Sequence, residues 1–205
     1  RKTENLIKRY FETIPRGKNP PPLPSSSNPI ETKGSTSIYE NTLASSPGFL
    51  LGYRLASPYT NDFYPLAIID YILLKGKSSR LYERLVRRDR IAFHLSGGID
   101  KRKDLANLKI FVLSSNEAIK QRSLRVVTSE INKLRSSFIS EKELNRAKSM
   151  FRMNYINQYS SAVDKAIFLI EAFYSGISLD QLAGELDKYL KVTPSSIIGI
   201  ANRYF

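Results

Sequence analysis

The sequence predicts an α+β domain, a mostly antiparallel sheet with helices packed on one face, and three observations carry that prediction. Strand-like segments gather in the first half of the chain, everything after Asn116 reads as helix, and polar turns short enough for antiparallel neighbours join the strands. The 205 residues suffice for one large domain or two small ones, with enough chain to bury a core.

The elements follow in order. Thr3 to Ile14 reads as a helix because Leu6, Ile7, Tyr10, Phe11 and Ile14 recur on one face, and Pro15 ends it. Five prolines between Arg16 and Gly34 forbid regular structure and predict an extended linker. Thr36 to Leu43 and Phe49 to Leu55, rich in Tyr, Leu, Thr and Phe, read as strands about the turn Ser45-Ser46-Pro47-Gly48 and are expected to pair as a hairpin or as neighbours.

Asn61 is placed to cap a helix from Asp62 to Leu74 whose Leu66, Ile69, Ile72 and Leu73 should press on the sheet. Gly76 stops it, and Ser78 or Ser79 caps a shorter helix to about Arg88 with Leu81, Leu85 and Tyr82 inward and its arginines outward. Ala92 to Ile99 and Leu108 to Ser114 read as two further strands, joined antiparallel by the polar tip Asp100-Lys101-Arg102-Lys103-Asp104. Gly97-Gly98 inside the first of them suggests a bulge or a close backbone approach.

Helices are then predicted over Glu117–Ser136, Glu141–Gln158, Ala162–Tyr174, Leu179–Leu190 and Pro194–Tyr204. Capping boxes at Ser140-x-x-Glu143 and Ser178-x-x-Gln181, and Thr193 before the first-turn Pro194, mark their starts. Residues 1–34 are thus the end of a preceding helix with a proline-rich linker, and residues 35–205 the α+β domain. No repeat is present. Arg1 stands where an initiator Met would, so the chain reads as a fragment of something longer.

Composition removes whole classes of chemistry. There is no Cys, so disulfides, thiolate zinc sites and cysteine nucleophiles are excluded. The single histidine, His94, has no second histidine to share a metal with, and a zinc site needs several ligands. No metal is therefore expected to bind this chain. No apolar run approaches 18 residues, since Asp70 and Lys75 break the longest, so no membrane-spanning helix is expected. Glu141 and Glu143 look like paired carboxylates but fit better as first-turn residues favoured by the helix dipole. No glycine-rich phosphate loop is present.

The formal net charge is +13, which favours acidic partners. Nine basic residues from Lys77 to Lys103 face only three acidic ones. A nucleic-acid binder would interleave such a cluster with exposed aromatics, whereas Tyr82, Leu85 and Ile91 sit at core-facing spacings. The cluster is read as a solvated basic face, with nucleic acid the minority reading.

The order of segments carries a resemblance. Ile7-Lys8-Arg9-Tyr10-Phe11-Glu12-Thr13-Ile14-Pro15-Arg16-Gly17 before the prolines resembles the helix and linker that close one domain of pitrilysin/insulinase-family zinc peptidases, the group that includes mitochondrial processing peptidase. Leu51-Gly52-Tyr53-Arg54, Lys77 through Val86, Ile91-Ala92-Phe93-His94-Leu95-Ser96 and Ser140 through Lys148 are similar to that family's second domain, in the same order. The Ser-Ser-Arg-Leu-Tyr and Glu-Leu-x-Arg-Ala-Lys motifs are the most specific parts.

The resemblance implies a metallohydrolase-like fold of the processing-peptidase type. It implies a parent that binds zinc through an inverted H-x-x-E-H motif plus a distal glutamate, all in the preceding domain, with the motif's glutamate as general base. It implies as partners that preceding zinc-binding domain, a second homologous half and an unfolded peptide substrate. In the family an Arg and a Tyr seven residues apart contact substrate in the non-zinc half. The matching positions here are Val86 and Phe93, which cannot donate those hydrogen bonds. Core packing is the reading taken for both. With Arg84, Arg87 and Arg88 on the neighbouring helix, they are the candidate substrate-facing residues.

The function expected is a non-zinc-binding domain walling the peptide chamber of a zinc metalloendopeptidase, inactive alone, whose sheet edge could take substrate as an added strand. The alternatives are an inert scaffold of the same family and a basic nucleic-acid-binding module.

Overall fold

The computed structural model describes residues 1–19, 34–41, 43–102 and 105–205. The chain divides into two compact units, Arg1–Asn41 and Thr42–Phe205. In the first, helix α1 spans Lys2–Phe11, starting one residue before and ending three residues before the expected Thr3–Ile14, and none of its residues is buried. The expected linker lies outside the described residues from position 20 to position 33.

The second unit is built on three strands, β1 (Gly48–Leu55), β2 (His94–Lys101) and β3 (Ala106–Leu113), in the order β1-β3-β2 with both pairings antiparallel. The hairpin joining β2 to β3 is the one the polar tip predicts, although Lys103 and Asp104 of that tip lie outside the described residues. The expected strand Thr36–Leu43 is a correction: residues 36–41 and Leu43 form no strand, Thr42 lies outside the described residues, and β1 takes β3 as its partner. Ile38 and Tyr39 are almost fully exposed, so propensity there has no neighbouring strand or packing surface to satisfy.

Alternation along the central strand separates the two faces of the sheet. Ala106, Leu108, Ile110 and Val112 are buried, joined in register by Leu55, Tyr53, Leu51 and Phe49 of β1. Against this face lies α2 (Phe63–Leu73), where Phe63, Leu66, Ile68, Ile69, Ile72 and Leu73 are all essentially inaccessible. The helix buries residues on every side because other helices cover its back: α4 (Glu141–Asn157), α7 (Glu185–Leu190) and α8 (Pro194–Tyr204). Helix α3 (Glu117–Ser136) packs on α8 and touches β1 and β3. The remaining helices are α5 (Ala162–Tyr174) and α6 (Leu179–Ala183). The expected helix Leu179–Leu190 is thus two pieces, with Gly184 as C-cap of one and N-cap of the other.

Several caps differ from expectation. The residue at the N-cap of α2 is Asp62, not Asn61, and it caps nothing. Its Oδ2 instead accepts from Arg203 Nη1 at 2.7 Å and Tyr204 Oη at 2.8 Å, tying the end of α8 to the start of α2. Ser140 does accept from the Glu143 amide, but the Glu143 carboxylate does not reach back. It takes both arms of Arg80 at 2.7 Å, a bidentate, charge-assisted pair that raises the Arg80 pKa through the Glu143 hydrogen bond. Capping boxes close at Ser178 with Gln181 and at Thr193 with Ser196.

Residues Tyr82–Arg88 form a π-helix where an α-helix is expected. Asp89 N bonds Arg84 O at 2.9 Å, five residues back, and the amides of Ile91 and Ala92 both bond Leu85 O. Leu81 and Leu85, four apart, are buried, a spacing that serves either helix, so the sequence pattern does not tell them apart.

Candidate functional site

The face of the sheet opposite α2 carries His94, Ser96 and Asp100 from β2, Asn107, Lys109 and Phe111 from β3, and Leu50 and Arg54 from β1. Leu50 is 62% exposed, and His94, Ser96, Lys109 and Arg54 are exposed with it. Register divides this face. At one end Leu50 lies opposite Phe111, which faces Ser96 on its other side, with the His94 ring edge-on to the Phe111 ring at 5.6 Å between centroids. At the other end Lys109 Nζ donates to Asp100 Oδ2 at 2.8 Å and Arg102 Nη2 to the same oxygen at 3.2 Å, which holds the Asp100 carboxyl below its usual range. An apolar and aromatic end thus adjoins a cationic one.

Both β1 and β2 are edges of the three-stranded sheet. The β2 edge contains Gly97 and Gly98, with φ of 153° and 146°. A Cβ on Gly97 would strike the Lys109 carbonyl, and one on Gly98 would strike the Lys75 ammonium. Close backbone approach is therefore the reason for Gly97, whereas Gly98 is required by its positive φ and meets only side-chain atoms.

The predicted residues lie on the π-helix Tyr82–Arg88 and just ahead of β2. Val86 is half-buried against the core, as a packing residue should be. Phe93 is a correction to the packing reading: it is 60% exposed, held by its amide to Leu113 O at 3.2 Å while its ring projects from the core. Phe93 lies one residue ahead of β2, and Leu95, two residues on, is the one that packs against the core. Arg84 and Arg87 already have partners, Asp89 at 3.3 Å and Glu83 at 3.0 Å, and Arg88 is exposed with no ion pair among the described residues. The trio shares the π-helix but offers one unpaired guanidinium rather than three.

Among the described residues no catalytic constellation assembles. His94 Nε2 lies 3.0 Å from Ser96 Oγ, yet no carboxylate bonds the other ring nitrogen, and both groups stand in solvent. A nucleophile and base without an orienting group do not make an acyl-transfer site. Among the described residues no three His, Cys, Asp or Glu side chains gather as metal ligands. With one histidine and no cysteine, the donor set does not fit a zinc centre.

Sequence reasoning missed a second concave region on the helix side of the sheet. A cavity of about 190 Å³ is lined by residues of α2, β2, α4, α5 and α7, among them Asp70, Lys101, Tyr155 and Glu185. Its residues lie between positions 59 and 189, and no local motif announces them.

Comparison with known proteins adds the following. The family model described as peptidase M16 inactive domain matches residues 1–151. The zinc protease PqqE of Helicobacter pylori is 22% identical over 206 residues, covering all of this chain and 46% of that protein. The chain therefore spans about half the length of the curated relative it matches. A crystal structure of a protease from Helicobacter pylori superposes with a TM-score of 0.90 at 21% identity, over 100% of this chain and 49% of that one. The peptidase M16 inactive domain from Pseudomonas fluorescens superposes at 0.65 with 16% identity, over 77% and 38%. At these identities the superpositions speak to fold.

Proposed function

From the premise that this chain belongs to the peptidase M16 inactive-domain family, we propose that it is the non-zinc-binding domain of a zinc metalloendopeptidase, forming a wall of the chamber in which an unfolded peptide is held. The observation that supports this most is the uncovered sheet face: a mixed apolar and cationic surface flanked by two strand edges, with no cluster of metal ligands among the described residues and no carboxylate orienting its His94–Ser96 pair. In this reading zinc and the general base belong to a preceding domain, residues 1–34 carry the closing helix and linker from that domain, and a second homologous half completes the chamber. Leu50 and Phe111 give side-chain-tolerant apolar contact. A free edge offers main-chain hydrogen bonds, which hold an extended peptide without reading its sequence. Phe93, exposed beside β2, would face the substrate in place of the family's hydrogen-bonding Tyr.

The test is binding without hydrolysis. The chain is expected to bind a fluorescein-labelled unfolded peptide by anisotropy, to leave a fluorogenic peptide uncut, and to hold no stoichiometric zinc after dialysis. Leu50→Asp and Phe111→Asp should weaken the peptide by several-fold while the circular dichroism spectrum is kept. Peptide cleavage by the chain with one tight zinc, both abolished by His94→Ala, would overturn the reading. Binding indifferent to both substitutions would move the substrate off this face.

A further inference from the structure

The two edges of the sheet are not equivalent. Ser114 N donates to Pro47 O at 3.0 Å, and these residues stand opposite one another one step beyond the Gly48–Leu113 pair. Bonded and non-bonded pairs alternate along an antiparallel ladder, so Phe49, Leu51, Tyr53 and Leu55 turn their main-chain groups toward β3, and Leu50, Gly52 and Arg54 turn theirs out to the edge. Among the described residues no group bonds those outward amides and carbonyls. On the other side, Leu113 O accepts from Phe93 N at 3.2 Å, so the intervening residues of β3 face β2, and the outward positions of β2 are Leu95, Gly97, Ile99 and Lys101. That edge is already occupied. Gly97 O accepts from the Lys75 ammonium at 3.1 Å, and the Ile99 amide is one of the groups that steady the Asp70 carboxylate. Charged side chains from α2 and the turn after it thus block the β2 edge, a common guard against strand pairing, and β1 is the edge left open.

Along β1 the open face offers three different surroundings at two-residue steps. Leu50 is 62% exposed, with Phe111 beside it on β3. Gly52 has no side chain, and a Cβ there would meet no atom within 4 Å, so the backbone is bare and the space above it empty. Arg54 is exposed and has no ion pair among the described residues, because the carboxylate on the same face, Asp100, is held by Lys109 and Arg102. Residues directly opposite on an added antiparallel strand share a face, with Cβ atoms about 5 Å apart. Each place therefore selects its partner by kind: apolar beside Leu50, large beside Gly52, where an aromatic ring covers the bare backbone, and acidic beside Arg54.

Resting on the reading that the open face receives an unfolded peptide, we propose that the peptide adds antiparallel to the β1 edge and that this edge selects, from the peptide's N-terminus to its C-terminus, an acidic residue opposite Arg54, a large residue opposite Gly52 and an apolar residue opposite Leu50. The pattern is acidic-x-large-x-apolar. Main-chain bonds to Leu50, Gly52 and Arg54 supply affinity, and the three side-chain places supply the preference. Antiparallel addition follows the pairing already present on both sides of β3, which is the slightly more stable kind per residue. The order of the three residues then carries information: the same residues in reverse put the acid beside Leu50 and the apolar side chain beside Arg54.

Fluorescence anisotropy at low salt with the full chain and three labelled peptides tests it: Glu-Thr-Tyr-Thr-Leu within Gly-Ser flanks, its reverse Leu-Thr-Tyr-Thr-Glu, and Lys-Thr-Tyr-Thr-Leu. The first is expected to bind about threefold or more tightly than either of the others, the size of an exposed cross-strand ion pair. The peptide series needs no variant, so a folding failure cannot mask the answer. Arg54→Glu, at an exposed position, should invert the preference between the Glu and Lys peptides. Amide exchange followed by NMR should show Leu50, Gly52 and Arg54 gaining protection on binding while Ile99 does not. If none of the peptides binds, the chamber-wall reading fails and this proposal with it. If peptides bind but the Glu, Lys and reversed sequences bind equally, if Arg54→Glu leaves the preference unchanged, or if protection appears along β2 rather than β1, the proposal alone is overturned and the chamber-wall reading stands.

Discussion

On one face of the sheet Ala106, Leu108, Ile110 and Val112 vanish beneath helices, while one residue along the same strands Leu50, Lys109 and Ser96 stand in solvent. The strands are shared, so what separates the faces is what covers them. On the covered face each side chain is chosen by volume, because a gap there has no water to fill it and loses its contacts outright. On the open face volume is free and chemistry can vary, which is why charge, histidine and aromatic rings collect there. Stability resides on one side of a sheet about one residue thick, and the proposed peptide-facing surface lies on the other.

The sharpest way to break this contrast is to truncate one residue on each face. Ile110→Ala, at a fully buried position, should cost about 2–5 kcal/mol in urea unfolding. Leu50→Ala and Phe93→Ala, both at exposed positions, should each stay within about 0.5 kcal/mol. Equal losses at Ile110 and Leu50 would mean that something also covers the open face. Gly97→Ala comes next, because its new methyl group meets the Lys109 carbonyl of the neighbouring strand and the backbone itself must move. About 1–3 kcal/mol is expected, with amide-exchange protection falling in β2 before β1. Equal loss of protection in all three strands would show the damage is not confined to the β2 edge.

A pH effect separates the faces further. Burial raises the Asp70 pKa above its usual 3.8, against the pull of Lys75. Above 3.8 and up to the raised value the folded chain holds more protons than the unfolded one, so the stability that protonation contributes is present in acid and lost as pH rises through the folded pKa. Asp70→Asn, which mimics the protonated form, should therefore raise the melting temperature near neutral pH, with the advantage fading toward pH 4. An advantage that grows on acidification would reverse the sign. Asp100 on the open face, whose carboxyl Lys109 holds low, behaves oppositely: its pairing is present above the usual carboxylate range and is lost as pH falls through the lowered value.

The smallest effect is reserved for the π-helix. Neutralising Arg84, Arg87 and Arg88 to Gln should weaken binding of an acidic unfolded peptide at low salt, with the difference shrinking as salt shortens the screening distance to roughly 8 Å. A neutral peptide should respond little. Arg88 alone should account for most of the change, since the other two are paired within the helix turn. Equal weakening of both peptides, or steeply salt-dependent DNA binding, would favour the nucleic-acid reading of the basic cluster.

How far the sequence could be read depended on the range of the forces involved. Caps at Ser178 and Thr193 and the covered-face alternation of β3 are local, and they read correctly from neighbouring residues. The family, too, was legible, because ordered motifs around Ser79 and Glu143 survive as text. Residues 36–43 misled because a strand is defined by its partner, and their β-rich composition does not supply one. Phe93 misled because it lies one residue ahead of β2 and is exposed there, although Leu95, two residues on, packs against the core. The cavity was invisible because Asp70, Lys101 and Glu185 line one space only after α2, β2 and α7 have packed.

The strand order β1-β3-β2 also sets a timetable for assembly. Between Lys101 and Ala106 only four residues intervene, so β2 and β3 can close as a hairpin in microseconds. Leu55 and Ala106, by contrast, become neighbours across about fifty residues that include α2 and the π-helix, a loop whose closure entropy must be met before its contacts form. The central strand is thus the meeting point of a fast local event and a slow distant one, and β1 should be the last strand to gain protection as the chain folds.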